Sequence, residues 1–197
     1  MPEDRAAAPL ARPTHLRPDA LANRWRVLAA AARQLDGPEG LAMNALAREA
    51  GVGVGTVYRH FPTRQVLLEA LGAEGLEGLV AAAERAADGD GGEDALAQLL
   101  RAGLRRQLAD PALATVLAEP TAACTDTAAQ LERLRGALEA ALAHGRATGR
   151  VREDVDADDV RRLLCGLARA VDAGPGRASP SARYVDVVLQ GLRPPAP

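Results

Sequence analysis

Rings, lysine and cysteine are all scarce in this chain. Of its 197 residues one is Trp, one Phe and two Tyr, an aromatic share of 2%. So few flat side chains leave little with which to build strands, whereas the abundant Ala, Leu and Arg favour helix, and the composition predicts an all-α fold. Lysine is absent: each of the 24 basic residues is Arg. The two cysteines, Cys124 and Cys165, lie far apart with no CxxC spacing. That excludes a disulfide framework and a thiolate zinc site, and marks both as small buried apolar residues. No run approaches the roughly 18 apolar residues of a membrane span, and the opening MPEDRAAAPLARP has no apolar core of the signal-peptide kind. A cytoplasmic chain with no membrane partner is expected. His15, His60 and His144 stand in separate segments without HExxH or a nucleophile beside them, so neither catalysis nor a metal or cofactor is expected.

What is present is a globular make-up, 48% hydrophobic and 25% charged, with length enough for a real core. The net charge of -2 excludes a surface coated in positive charge. The balance nevertheless shifts along the chain: residues 1–70 carry nine Arg against seven acids, residues 71–197 fifteen against nineteen. A nucleic-acid contact in the first third is permitted by that asymmetry.

Residues 1–18, with Pro2, Pro9, Pro13 and Pro18, read as a flexible tail, whose Arg5, Arg12 and Arg17 are either idle or an arm along DNA. From Asp19 a helix is predicted with Leu21, Trp25, Leu28, Ala32 and Leu35 on one stripe, stopped by Gly37, Pro38 and Gly40. Two short helices follow, the first with Met43, Leu46, Ala47 and Ala50 at helical spacing, the second with Val54, Val57, Tyr58 and Phe61. Thr63 is suited to cap one longer helix reaching about Ala86. The acidic, glycine-rich segment from 87 to 94 divides an N-terminal domain, 19–86, from a second one, 87–193. Five helices are predicted beyond it, over 93–108, 111–118, 125–147, 157–173 and 180–192. DVDADD at 154–159 imitates the start of a calcium loop, but Asp159 and Cys165 stand where such a loop needs Gly and Glu, so Asp156 and Asp159 are read as a helix cap.

The aromatics concentrate in AGVGVGTVYRHFPTR, Ala50 to Arg64. Two short helices cross steeply only if the turn between them tolerates positive φ, which Gly51 supplies, and Ala47 is small enough to let the second lie close. Leu46, Val52, Val57 and Phe61 then face inward. Val54, Gly55, Thr56, Tyr58, Arg59 and His60 face outward, a set of hydroxyls, a guanidinium and an imidazole suited to phosphates and base edges in a major groove. The residues alone leave an ordinary helical hairpin with a polar face equally open.

The run LAREAGVGVGTVYRHFPTRQVLLEAL, with WRVLAAAARQL and GPEGLAMNALA before it, resembles the N-terminal signature of the TetR family of bacterial transcriptional regulators over residues 20–72. The resemblance implies an all-helical homodimer, a three-helix DNA-binding head and a larger C-terminal domain that dimerises and binds a small effector. It implies that Thr56, Tyr58, His60 and Arg64 hold the phosphate backbone, and that Asn44, Val54, Gly55 and Tyr58 face base edges, with Arg59 serving either. Ala42 and Gly53 stand where that signature commonly has a hydroxyl, which removes two such contacts.

In the C-terminal part, Gln107 puts an amide on the stripe of Leu96, Leu100 and Gly103, and Thr127, with Cys124 before it, lines up with Leu131, Leu134 and Leu138. Polar groups on core-facing stripes are what a small-ligand pocket needs, and Gln107, Cys124, Thr127, Leu131 and Leu167 are the candidate effector site. An ordinary core with each polar group satisfied is the competing reading. Val160, Leu163, Leu164, Leu167 and Val171, with Tyr184, Val187, Val188 and Leu192, form the candidate dimer face. The expected function is a repressor that binds a palindromic double-stranded operator as a homodimer and is released by a small molecule. A helical protein-interaction module and a DNA-binding regulator without effector are the alternatives.

Overall fold

The structure, a computed structural model, describes residues 18–35, 41–88, 95–172 and 181–195. The arginines of the tail, the stop at Gly37, Pro38 and Gly40, most of the acidic segment and the glycines at 174 and 176 lie outside the described residues. Among those described are ten helices: α1 Pro18–Leu35, α2 Met43–Glu49, α3 Val54–His60, α4 Arg64–Leu71, α5 Ala73–Asp88, α6 Ala95–Ala109, α7 Pro111–Ala118, α8 Thr125–Ala147, α9 Ala157–Asp172 and α10 Ser181–Gly191. The fold is all-α, a helix-turn-helix head followed by a helical C-terminal part.

Short polar side chains start several of these helices. Thr63 accepts a hydrogen bond from Val66 N at 3.2 Å, and Asp110 accepts one from Leu113 N at 3.0 Å. Asp156 accepts from Asp159 N at 2.8 Å while Asp159 accepts from Asp156 N at 3.3 Å, a reciprocal box that satisfies two amides at once. Asp156 and Asp159 are thus occupied in starting α9, while Asp154 pairs with Arg152 and Asp158 with Arg161 and Arg162.

Two expectations are corrected here. The single helix from Thr63 to Ala86 is divided at Gly72 into α4 and α5. A Cβ at Gly72 would lie 2.9 Å from Leu113 N, so the joint lets the backbone of α7 approach closer than any side chain allows. The stripe assigned to α1 is also displaced. Trp25 is 69% and Leu21 43% exposed, while Val27, Ala30 and Ala31 are wholly buried. On a helix of Ala and Leu the larger residues do not mark the inner face, because a small side chain lets a neighbouring helix lie closer.

Hydrophobic packing forms two cores. One gathers Val27, Leu46, Val57, Phe61 and Leu67 within the head. The other begins at Leu76 on α5 and takes in α6 to α10, so α5 packs with the C-terminal helices. The stripes proposed for a dimer face are split by this second core. Val160 and Leu192 are buried at 1% and 3%, as is Val185 at 1%, whereas Leu163 and Val187 remain exposed.

Gly72→Ala forces a Cβ against backbone, which cannot rotate away as a side chain can. The substitution is expected to destabilise the chain by about 1–3 kcal/mol, read as a lower urea midpoint with unchanged slope.

Candidate nucleic-acid interface and adjoining cavities

The turn between α2 and α3 is built on Gly51, whose φ of +62° only glycine adopts freely. Its N–H donates to Arg48 O at 3.2 Å and that of Val52 to Ala47 O at 3.0 Å, the paired bonds that close a helix before a sharp change of direction. Glu49 accepts from Arg33 Nε at 2.7 Å and from Gln34 Nε2 at 2.8 Å, tying the end of α2 to α1. The bond from Gln34 and then that from Arg33 hold the Glu49 carboxyl below its ordinary range.

Val57 and Phe61 anchor α3 in the head core at 0% exposure. The guanidinium of Arg24 lies 4.5 Å from the centre of the Phe61 ring and reaches the His60 carbonyl oxygen at 3.5 Å. A cation over a ring face and against the carbonyl end of a helix is favourable on both counts. Arg24 is a positioning residue that the sequence reading missed. Its signal was present, since Arg24, Val27 and Ala31 fall at i, i+3 and i+7, the spacing of the face that is in fact buried.

On the outer side, Val54 and Tyr58 are 41% and 46% exposed. Gly55 and Arg59 are exposed beside them, with Thr56 and His60 half-buried. Asn44 stands exposed on α2 and Arg64 exposed at the first turn of α4. A Cβ at Gly55 would meet no heavy atom within 4 Å, and one at Gly53 only the Thr56 hydroxyl at 3.9 Å. Within α3 glycine at 55 weakens the helix and no described residue requires it there, whereas Gly53 precedes the helix as its N-cap, a position that suits glycine. Burial pushes the His60 imidazole below its usual pKa, and the charges of Arg24 and Arg59 add to that.

The head is tied to the rest of the chain through α4. Glu69, only 3% exposed, accepts from Ala123 N at 2.6 Å and from Cys124 N at 2.8 Å. Gln65 Nε2 donates to Thr121 O at 2.6 Å. Cys124 is the N-cap of α8 and its side chain caps nothing there, so the carboxylate of another helix serves the amides at the start of α8.

The five residues named for an effector do not surround one cavity. Gln107, 3% exposed and with its amide nitrogen unpartnered, faces an apolar chamber of about 30 Å³ between α6, α8 and α9. Leu117, Leu134, Leu138 and Arg161 line both this chamber and an outer cavity of about 270 Å³. Glu119, Ala122 and Leu131 in turn line both that cavity and a third, of about 300 Å³, which Thr127 and Glu69 also border. Gln107, Leu131 and Thr127 therefore lie along one series of cavities from the core to α4. Cys124 and Leu167 line none of the three. Arg161 stands between the first two, donating to Leu117 O at 2.7 Å and pairing with Asp158 at 2.8 Å.

Both cysteines are partly exposed, a correction to the expected full burial, and burial pushes the Cys165 thiol above its ordinary pKa. Among the described residues no group of three or more His, Cys, Asp or Glu is placed to hold a metal ion, and no helix is long and apolar enough to cross a membrane.

A family model described as bacterial regulatory proteins, tetR family, matches residues 27–71. A second, the C-terminal domain of SbtR-like transcriptional regulators, matches residues 91–194. An HTH-type transcriptional regulator of Staphylococcus aureus is 43% identical over 54 residues, 26% of this chain and 29% of that protein. The match thus spans less than a third of the curated relative. A TetR transcriptional regulator of Streptomyces coelicolor is 31% identical, with 88% of this chain and 99% of that one covered and a TM-score of 0.51. PfmR, a TetR family transcriptional regulator of Thermus thermophilus, is 28% identical, covering 86% of this chain and 100% of its own, with a TM-score of 0.59.

Removing the buried carboxylate leaves two amides without an acceptor. Glu69→Ala is expected to destabilise the chain by about 2 kcal/mol or more, with Glu69→Gln, which keeps one acceptor, less harmful. Denaturant midpoints measure the loss, and amide exchange at Ala123 and Cys124 should quicken in both variants.

Proposed function

The chain belongs to the TetR family of bacterial transcriptional regulators, and from that premise we propose that it is a homodimeric repressor that binds a palindromic operator and releases it on binding a small molecule. The observation that carries the reading is the outer face of α3. Gly55 leaves open space that no described part of the chain fills, beside exposed Gly53, Tyr58 and Arg59. A surface that forgoes helix stability for close approach fits a duplex backbone drawn against it. In this reading Thr56, Tyr58, His60 and Arg64 hold phosphates, Asn44, Val54, Gly55 and Tyr58 face base edges, and Arg59 serves either.

One seven-residue helix reads few bases, and pairing two heads makes the second contact effectively intramolecular. The exposed Leu163 on α9 and Val187 on α10 are the apolar positions that the partner copy would cover. The division drawn at 86/87 is one of sequence, whereas by packing α5 goes with the effector-binding part and α4 is the link to the reading head. An effector entering the series of cavities would meet the Gln107 amide at the inner end and press on the segment that Glu69 and Gln65 hold at the outer end. Only a ligand that favours one placement of that segment shifts the heads, which is the thermodynamic condition for release.

Selection from a random DNA pool followed by gel-shift titration tests the reading. Operator affinity should fall steeply between about 50 and 200 mM salt as counterions are released, and a chain that enriches no sequence at low salt refutes it. Tyr58→Ala or Arg59→Ala should abolish or reshape selection in a dimer that stays folded. Gly55→Ala should raise stability by up to about 1 kcal/mol and yet weaken operator binding.

The His60 imidazole adds a pH dependence of stated sign. A phosphate beside it favours the protonated ring, so the free pKa, already depressed, rises on binding. The added affinity is complete below the free value and is lost as pH rises through the bound one. Affinity should therefore increase as pH falls from about 8 to 6, and His60→Gln should flatten the trend.

A further inference from the structure

The inner end of the cavity series has a chemistry that narrows what can occupy it. Gln107 is 3% exposed, and its Nε2, an N–H donor, has no hydrogen-bond partner among the described residues. It borders the chamber of about 30 Å³ together with Leu79, Leu100, Leu134 and Leu164. Arg161, the cation on the same wall, has every nitrogen engaged: Nη1 donates to Leu117 O at 2.7 Å, Nε to Asp158 at 2.9 Å, and Nη2 pairs with Asp158 at 2.8 Å. Gln107 stands twelve residues into α6, about 18 Å of helix from its start, and Cys165 on the opposite wall stands seven before the end of α9, about 10 Å. The unmatched donor therefore lies inside the helical core and away from the connections that flank α6 and α9. Water serves it poorly, since a buried water needs about two to four polar partners and this one amide is otherwise surrounded by Leu, Val and Gly.

The outer cavity of about 270 Å³ decides the charge. Leu117, Leu134 and Leu138 border both spaces, so a chain leaving the chamber past them enters it. There Ala122, Ala128 and Leu131 are half-buried and Pro120 is exposed, apolar surface still open to a ligand. Its charged border among the described residues is Glu119, Glu132 and Asp158 against Arg135 and Arg161. Each of these arginines already pairs with an acid, Arg135 with Glu132 and Arg161 with Asp158.

We propose that the ligand of this series of cavities is an uncharged, mostly apolar carbonyl compound, a ketone, ester or lactone, whose oxygen accepts from Gln107 Nε2 and whose chain lies against Ala128 and Leu131. The proposal rests on the reading of these cavities as the effector site and specifies what enters it. A carboxylate would lose its water beside Glu119 and Asp158 with both arginines taken. An ammonium would bring a second donor to a donor. A plain hydrocarbon would cover the outer surface and leave the amide as it was, whereas a carbonyl oxygen supplies the acceptor without a charge.

Isothermal titration of the full chain with 2-octanone, octanoate and octylamine tests the class, and carbon NMR of carbonyl-labelled 2-octanone tests the contact. The ketone should bind at least about tenfold more tightly than either ion, with its carbonyl resonance shifted on binding. Gln107→Leu, close in size and without the donor, should weaken the ketone by about tenfold and abolish the shift. It removes an unmatched polar group, so its denaturation midpoint should be no lower than that of the parent chain. If the variant fails to fold, the comparison of the three compounds on the parent chain decides alone. Octanoate or octylamine binding as tightly as the ketone, a ketone affinity unchanged by Gln107→Leu, or no ketone binding up to its solubility overturns the proposal. Gel shift with the selected operator separates the two claims. A ketone that binds without displacing DNA refutes effector release and leaves the ligand class standing. Octanoate or octylamine displacing DNA where the ketone does not upholds release and overturns the class.

Discussion

Where the head meets the remainder of the chain, a buried carboxylate holds the two amides that lead into α8. The start of α8 has Cys124, which offers its amides no side-chain acceptor, and Glu69 reaches across from α4 to accept from both Ala123 and Cys124. A carboxylate out of water is expensive unless its oxygens are bonded, and the start of a 23-residue helix is a place where two amides and a favourable dipole are available together. The placement of α4 is thereby set by the start of α8. The short α2 and α3, too brief to persist alone, are placed by α1 and α4 in turn.

Much of the head was legible because its constraints are local. Gly51 is demanded by the turn, Phe61 by the inner side of α3 and Thr63 by a helix start, and all three residues do what their types predict. The stripe on α1 was misread for a reason of composition. In a segment of Ala and Leu the contrast between faces is small, and size favoured Trp25 where close approach favoured Ala30 and Ala31. The break at Gly72 was hidden as well, because a glycine within an apolar helical pattern signals nothing until the helix that lies on it, α7, is known. Gln107 and Thr127 were correctly marked as polar groups on buried stripes, but which cavity each faces depends on how α6 and α8 are set against α7 and α9. No spacing within one helix contains that information. Arg24 and Glu69 act across 36 and 54 residues of chain, and long-range pairs of this kind leave no periodic trace.

Scarcity of rings reappears as empty space. A core of Leu, Val and Ala has few side chains able to fill a wide gap between helices, and close crossings are made where glycine meets a branched residue. Gly103 against Leu164 and Gly75 against Leu113 are such crossings. Between them the helices diverge, and the openings that result run from Gln107 to Glu69. The same composition that makes the chain helical thus makes it hollow in places, and the innermost of them is bordered by the Gln107 amide nitrogen, which has no hydrogen-bond partner among the described residues.

The exposure of Trp25 has an optical consequence. It is the chain's sole indole, it sits on α1 of the head, and at 69% exposure it is already surrounded by water. Its emission should therefore be red-shifted in the native protein and change little on unfolding, which makes it a poor monitor of stability. A blue shift would instead mark something laid directly over α1, so the chain carries a built-in reporter for what touches its head and is blind to what enters its body.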